Sequence, residues 1–160
     1  MLHLSVVWIS LRDFRPYFVG MYQNRVFCVQ AASPWLYSVP WGLWKLLNYI
    51  STGYNKHPIY ITENDDSISP LHEILDDKLR ADYYKGYLAT VHQSITDGAD
   101  VRGYFAWSLL ENFEWELRYT KRFGLIYVDY KNGLARHPKS SAYWFKRFLK
   151  AEDGKNGKID

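Results

Sequence analysis

Apolar positions along this 160-residue chain change period several times, and each change delimits an element. Leu43, Leu46, Leu47 and Ile50 fall at the spacing of one helical face. Pro40 suits the first turn of that helix, where its missing N–H costs nothing, and Ser51-Thr52-Gly53 ends it. The short run Pro58-Ile59-Tyr60-Ile61-Thr62-Glu63 then reads as a strand, and the polar stretch from Asn64 to Pro70 as a loop. A second helix is expected from Asp76 or Asp77, where early acids complement the helix dipole. Its inward face should carry Tyr84, Leu88, Val91 and Ile95, and Gly98 should stop it.

Val101 to Trp107 is apolar on both faces apart from Arg102, as in strands buried within helix-covered parallel sheets. Strand, helix and strand together make a βαβ crossover, so the class is α/β. Phe123 to Asp129 is a further strand, and Asn132-Gly133 signals a hairpin turn. Pro138 is expected to open a last helix that packs Tyr143, Trp144, Phe145, Phe148 and Leu149 inward. Its solvated face would hold Lys139, Lys146, Arg147 and Lys150. Residues 1–28 show no clear period, and the polar, Gly/Lys-rich tail 151–160 should be disordered.

Composition changes this picture in one respect. Seven Trp, fourteen Tyr and eight Phe make the chain 18% aromatic, more than a core requires. Rings with a polar handle suit the recognition of flat apolar surfaces such as sugar faces. A net charge of +3 without a basic stripe does not suggest a nucleic-acid partner. Cys28 is the one cysteine, which excludes an internal disulfide, and neither CxxC nor paired His spacing suggests a metal. No cofactor is implied. No apolar run reaches the ~20 residues of a membrane span. The apolar start, Met1 to Leu11, lacks the basic region and cleavage site of a signal peptide, so the compartment is left open.

Two segments carry candidate chemistry. Glu63 ends an apolar strand at the edge of a dry core, where a carboxylate can serve as nucleophile, general base or metal ligand. A solvated loop glutamate fits the same pattern. Glu111, Glu114 and Glu116 are interleaved with Phe113 and Trp115, an arrangement suited to sugar hydroxyls and C–H faces. A solvated amphipathic turn fits that pattern equally.

Taken together, Ile59 to Asn64, Trp107 to Trp115, Arg122 to Leu125 and Tyr127 to Tyr130 resemble the family 1 glycoside hydrolases, most closely the plant β-glucosidases. Ala31 to Tyr37, Pro40-Trp41-Gly42 and His137 to Phe145 agree in order and spacing, so the resemblance spans about residues 29–150. It implies the C-terminal part of a (β/α)8 barrel, with strands seven and eight, flanking helices and a hairpin, the barrel being incomplete. It also implies hydrolysis of β-glucosides with retention, with Glu63 as nucleophile. Glu114 would bind the outer glycone hydroxyls, Trp115 would donate its indole N–H, Trp107 would form the stacking floor and Phe123 would close the sugar pocket.

The second carboxylate of that reaction lies, in the family, in a Thr-x-Asn-Glu-Pro motif that this sequence lacks. The expectation is therefore a chain with little activity alone, whose open barrel edges favour self-association. The alternative is a non-catalytic glycan- or partner-binding barrel piece. Two positions depart from the family pattern, where glycine is usual: Asp65 after Glu-Asn, and Arg118 before Tyr-Thr.

Overall fold

The computed structural model describes residues 29–30, 37–63 and 73–153. Expectations about residues 1–28 with Cys28, the loop 64–70 with Asp65, and the tail beyond 153 lie outside the described residues. In chain order the elements are strands β1 (Val29–Gln30) and β2 (Tyr37–Ser38), helix α1 (Pro40–Gly53), β3 (Ile59–Ile61) and α2 (Lys78–Thr96). Then follow β4 (Val101–Tyr104), β5 (Ile126–Asp129), β6 (Ala135–Pro138) and α3 (Ser140–Asp153). Helix α3 thus extends to Asp153, within the stretch expected as a tail.

β3 and β4 pair in parallel, with Tyr60 opposite Gly103 and Ile61 opposite Tyr104, and α2 joins them as the sequence implied. The strands are shorter than expected, although Phe105 N–H to the Ile61 carbonyl carries the ladder one step further. β1–β2 and β5–β6 are antiparallel pairs, so the described residues hold two-stranded sheets and no closed barrel.

The core sits between the helices and one face of the β3–β4 pair. Tyr83, Tyr84, Tyr87 and Leu125 form its centre, with Tyr104, Ala106, Trp144 and Phe145 packed against them. Tyr84 has no exposed surface, and its ring meets Trp144 stacked and Phe145 edge-on. Such pairs add about 0.5–1.5 kcal/mol each beyond the area they bury.

Helix α2 differs from its expected face in one residue. The buried stripe runs Arg80, Tyr84, Tyr87, Val91, Ser94, so Ser94 turns inward and Ile95 is half exposed. The Ser94 hydroxyl donates to the Thr90 carbonyl, which lets a polar residue occupy that position. Gly98 does end the helix, at φ 100°, a region where a side chain is strained. Asp77 does not cap α2 with its side chain; its carboxylate is turned to Arg80 and Ser141 instead.

In α3 the inward stripe is Ser141, Trp144, Phe145 and Phe148, while Leu149 lies on its margin and Tyr143 on the far side, both half exposed. Pro138 closes β6 and does not open the helix. Lys139 is the larger departure. It is 1% exposed, because its ammonium is drawn inside by Glu111 and the Arg122 carbonyl. The hairpin forms as read, but its loop is longer than Asn-Gly alone. Asp129 pairs with Ala135, and Gly133 and Leu134 take φ of 63° and 61°.

Candidate functional site

Glu63 follows β3 by two residues and is exposed. Trp107 follows β4 by three, so both leave the same, C-terminal end of a parallel pair. The Trp107–Ser108 peptide bond is cis. Beyond it a long loop departs and returns. Its two limbs are tied at the base by Ser108 N–H to the Phe123 carbonyl at 3.4 Å, Leu125 N–H to the Ser108 carbonyl at 2.8 Å and Glu111 N–H to the Ile126 carbonyl at 3.2 Å. Gly124 is required there, since a Cβ would lie 2.3 Å from the Glu111 nitrogen.

The tip of the loop is a short 3₁₀ turn, Trp115–Leu117. It is closed by Glu114 N–H to the Arg118 carbonyl at 2.7 Å and Leu117 N–H to the Glu114 carbonyl at 2.9 Å. Both Trp115 and Arg118 take positive φ, 46° and 51°. The first holds Glu114 and Trp115 in a sharp bend; the second places an arginine where glycine fits more easily.

Glu114 is the electrostatic centre of the cluster. Burial raises its pKa above the usual carboxylate value, a hydrogen bond from the Trp107 side chain lowers it, and the charge of Glu63 raises it. Trp107 and Glu63, from the two strand ends, thus both act on Glu114. The Glu114 Oε1 is buried and has no hydrogen-bond partner among the described residues. Phe123 is partly buried at the base of the same loop. Trp115 stands apart, 85% exposed.

Glu111, grouped with the candidate sugar-binding acids by sequence, has another place. It is 4% exposed and meets Arg122 at 2.6 Å and Lys139 at 2.9 Å. Its role is to hold the loop's base. The Asp77-x-x-Arg80 spacing could have pointed to the neighbouring Asp77–Arg80 ion pair, since i,i+3 residues share a helical face. Nothing comparable flagged Lys139. Among the described residues no group of three or more His, Cys, Asp or Glu side chains could hold a metal ion. No helix among them is long and apolar enough to cross a membrane. A groove between α2 and α3, lined by Lys78, Lys85, Tyr143 and Arg147 among others, includes none of the cluster.

The sequence profile described as Glycosyl hydrolase family 1 matches residues 18–154. The chain belongs to glycosyl hydrolase family 1. It is 63% identical over 134 residues to Beta-glucosidase 42 of Arabidopsis thaliana, which covers 81% of this chain and 27% of that protein. Among solved structures, beta-glucosidase 2 from the fungus Trichoderma reesei, in complex with Tris, superposes with a TM-score of 0.76 at 40% identity. That match covers 83% of this chain and 30% of the fungal one. A rice beta-glucosidase mutant in a covalent complex with Glc superposes with a TM-score of 0.70 at 49% identity, covering 78% of this chain and 27% of the other. The chain thus spans about a quarter of the length of the family 1 proteins it matches, and its βαβ unit is a piece of their barrel fold.

Proposed function

We propose that this chain carries the nucleophile side of a retaining β-glucosidase site, with β3 and β4 as barrel strands seven and eight. Glu63 attacks the anomeric carbon of a β-glucoside; a bond forms from its carboxylate oxygen to that carbon as the bond to the aglycone oxygen breaks. Trp107 underlies the sugar, Glu114 accepts its outer hydroxyls, Trp115 donates to one of them and Phe123 closes the far end. The observation that supports this reading is that Glu63 and Glu114, from successive strand ends, lie near enough for the charge of the first to raise the pKa of the second. The covalent glucose complex of the rice relative supports the covalent route for the family.

The leaving oxygen needs a proton from a second carboxylate about 5 Å from the first. No Thr-x-Asn-Glu-Pro motif occurs in the 160 residues, and general acid/base catalysis contributes about 10²–10⁴ in rate. The isolated chain is therefore expected to turn over a chromogenic β-glucoside too slowly to detect. The strands β3 and β4 each have a single partner among the described residues, so their outer edges favour self-association.

An activated 2-fluoroglucoside, whose leaving group needs no proton, tests the nucleophile directly. Slow formation of one covalent adduct on the peptide holding Glu63, absent in Glu63→Gln, is the expected result. An adduct elsewhere, or none in a folded chain, would instead leave the non-catalytic glycan- or partner-binding reading.

A further inference from the structure

We propose that Arg80, on the outer helix α2, is a positioning residue for the glycone pocket: it clamps the base of the loop that presents Glu114. The inference rests on the reading of that loop as a sugar-binding element, and it concerns a residue that meets the site only through the backbone carbonyl of Phe123.

Arg80 is 2% exposed, and its guanidinium faces two ways. On one side Nε meets Asp77 Oδ2 at 3.0 Å. Asp77 is in turn fixed by the first turn of α3, accepting the Ser141 N–H and the Ser141 hydroxyl, each at 2.7 Å. On the other side Nη1 donates to the Phe123 carbonyl and Nη2 to the Arg122 carbonyl at 2.7 Å. Lys139 Nζ donates to the same Arg122 carbonyl at 2.8 Å and meets Glu111 Oε1 at 2.9 Å. Arg122 closes the ring by donating from Nη1 to Glu111 Oε2 at 2.6 Å.

Geometry makes this an arrangement for position. The Phe123 carbonyl held by Arg80 also accepts the Ser108 N–H, and Ser108 follows Trp107 directly. One guanidinium therefore fixes both limbs of the loop at the point where they cross. Trp107 directly precedes that tie and Glu114 directly precedes the tip, and the Trp107 side chain acts on the Glu114 carboxyl, lowering its pKa. The planar fork of arginine spans two adjacent carbonyls and a carboxylate at once, which a lysine ammonium at the same position cannot do. A buried charge is not needed for stability alone, since apolar side chains of similar volume often serve as well. What the charge adds is a defined direction for two carbonyls.

The test uses the 160-residue chain and the indole N–H resonances in a ¹H–¹⁵N spectrum. Trp107, whose side chain acts on Glu114, reports the site; Trp44, bonded to Asp97 at 2.6 Å, reports the far end of the helical layer. Arg80→Lys is expected to shift the Trp107 resonance and leave Trp44 in place. Amide exchange at Ser108 and Leu125 should quicken by about ten- to a hundredfold, the loss expected for hydrogen bonds to a charged group. Lys139→Met, which removes the other donor to Arg122, should give the same signature and keeps the test alive if the first variant fails to fold. Ser141→Ala weakens the Asp77 anchor without touching the loop. It should lower the melting temperature and leave Trp107 unmoved.

An unmoved Trp107 in both Arg80→Lys and Lys139→Met overturns the proposal. So does a joint shift of Trp44 and Trp107, or an equal Trp107 shift in Ser141→Ala, each of which marks general loosening. The sugar reading fails separately: glucose added to the unmodified chain would then leave both Trp107 and Trp115 in place, whatever Arg80→Lys does.

Discussion

Glu111 and Glu114 lie on one loop, three residues apart, and the fold uses them in opposite ways. Glu111 is enclosed between two cations, with Arg122 and the Val128 N–H directed at Oε2 and the Lys139 ammonium 2.9 Å from Oε1. Glu114 is partly buried without a cation, next to another carboxylate, with one oxygen left unpaired. The first arrangement binds the loop to the molecule. The second leaves a buried acceptor oxygen without a hydrogen-bond partner among the described residues. Burial by itself does not distinguish the two; the sign of the neighbouring charge does.

The largest effect that would break this contrast is on stability. Glu111→Gln leaves the Lys139 ammonium, already disfavoured by burial and by Arg80, without its carboxylate. Removing one partner of a buried pair costs about 3–5 kcal/mol, so a pronounced fall in the urea midpoint is expected. Glu114→Gln, which removes no counter-charge, should change the stability read from that midpoint by no more than about 0.5 kcal/mol at acid pH. Equal midpoints for the two variants would end the distinction.

A smaller effect concerns the tip that carries Glu114. Arg118 holds φ 51° and ψ −122°, a conformation in which a Cβ is crowded. Strain of this kind is worth about 1–3 kcal/mol, and glycine returns about 0.5–1 kcal/mol of it through the entropy of the unfolded chain. Arg118→Gly should therefore stabilise the chain by about 1 kcal/mol, read as a higher melting temperature with the Trp107 indole resonance unchanged. A lower melting temperature would show that the arginine makes up its strain through contacts of its own.

Much of this division between frame and site was legible in the residues, and the part that was not has a physical cause. Local spacing together with stop and turn signals such as Gly98 and Asn132-Gly133 located α1, the β3–α2–β4 crossover and the hairpin. Glu63 could be read as a site candidate because a carboxylate ending an apolar strand is conspicuous, whereas Trp107 entered through the family resemblance. The roles of Glu111 and Lys139 could not. Glu111 sits among other acids and Lys139 among other bases of a helix, and only the fold brings them within 2.9 Å. Ile95 was misplaced for a related reason: a 3.6-residue period leaves Ser94 and Ile95 almost equally eligible for the interior, and packing chose the serine.

The finest expected effect isolates the site from the frame through pH. Burial, with a contribution from Glu63, sets the folded-state pKa of Glu114 above its ordinary 4.5, so between those two values the folded chain holds a proton that the unfolded chain has released. The associated stability is complete below about 4.5 and declines as pH rises through the folded value. Glu114→Gln cannot release that proton. Its urea midpoint should match that of the unmodified chain at acid pH and exceed it progressively as the pH approaches neutral. Glu63→Gln removes only the repulsive part and should recover a fraction of the difference, less than the share due to burial, which is the first cause of the shift. If Glu63→Gln leaves the pH profile untouched, the two carboxylates do not face a common hollow, and the assignment of Glu63 as nucleophile loses the observation that carries it.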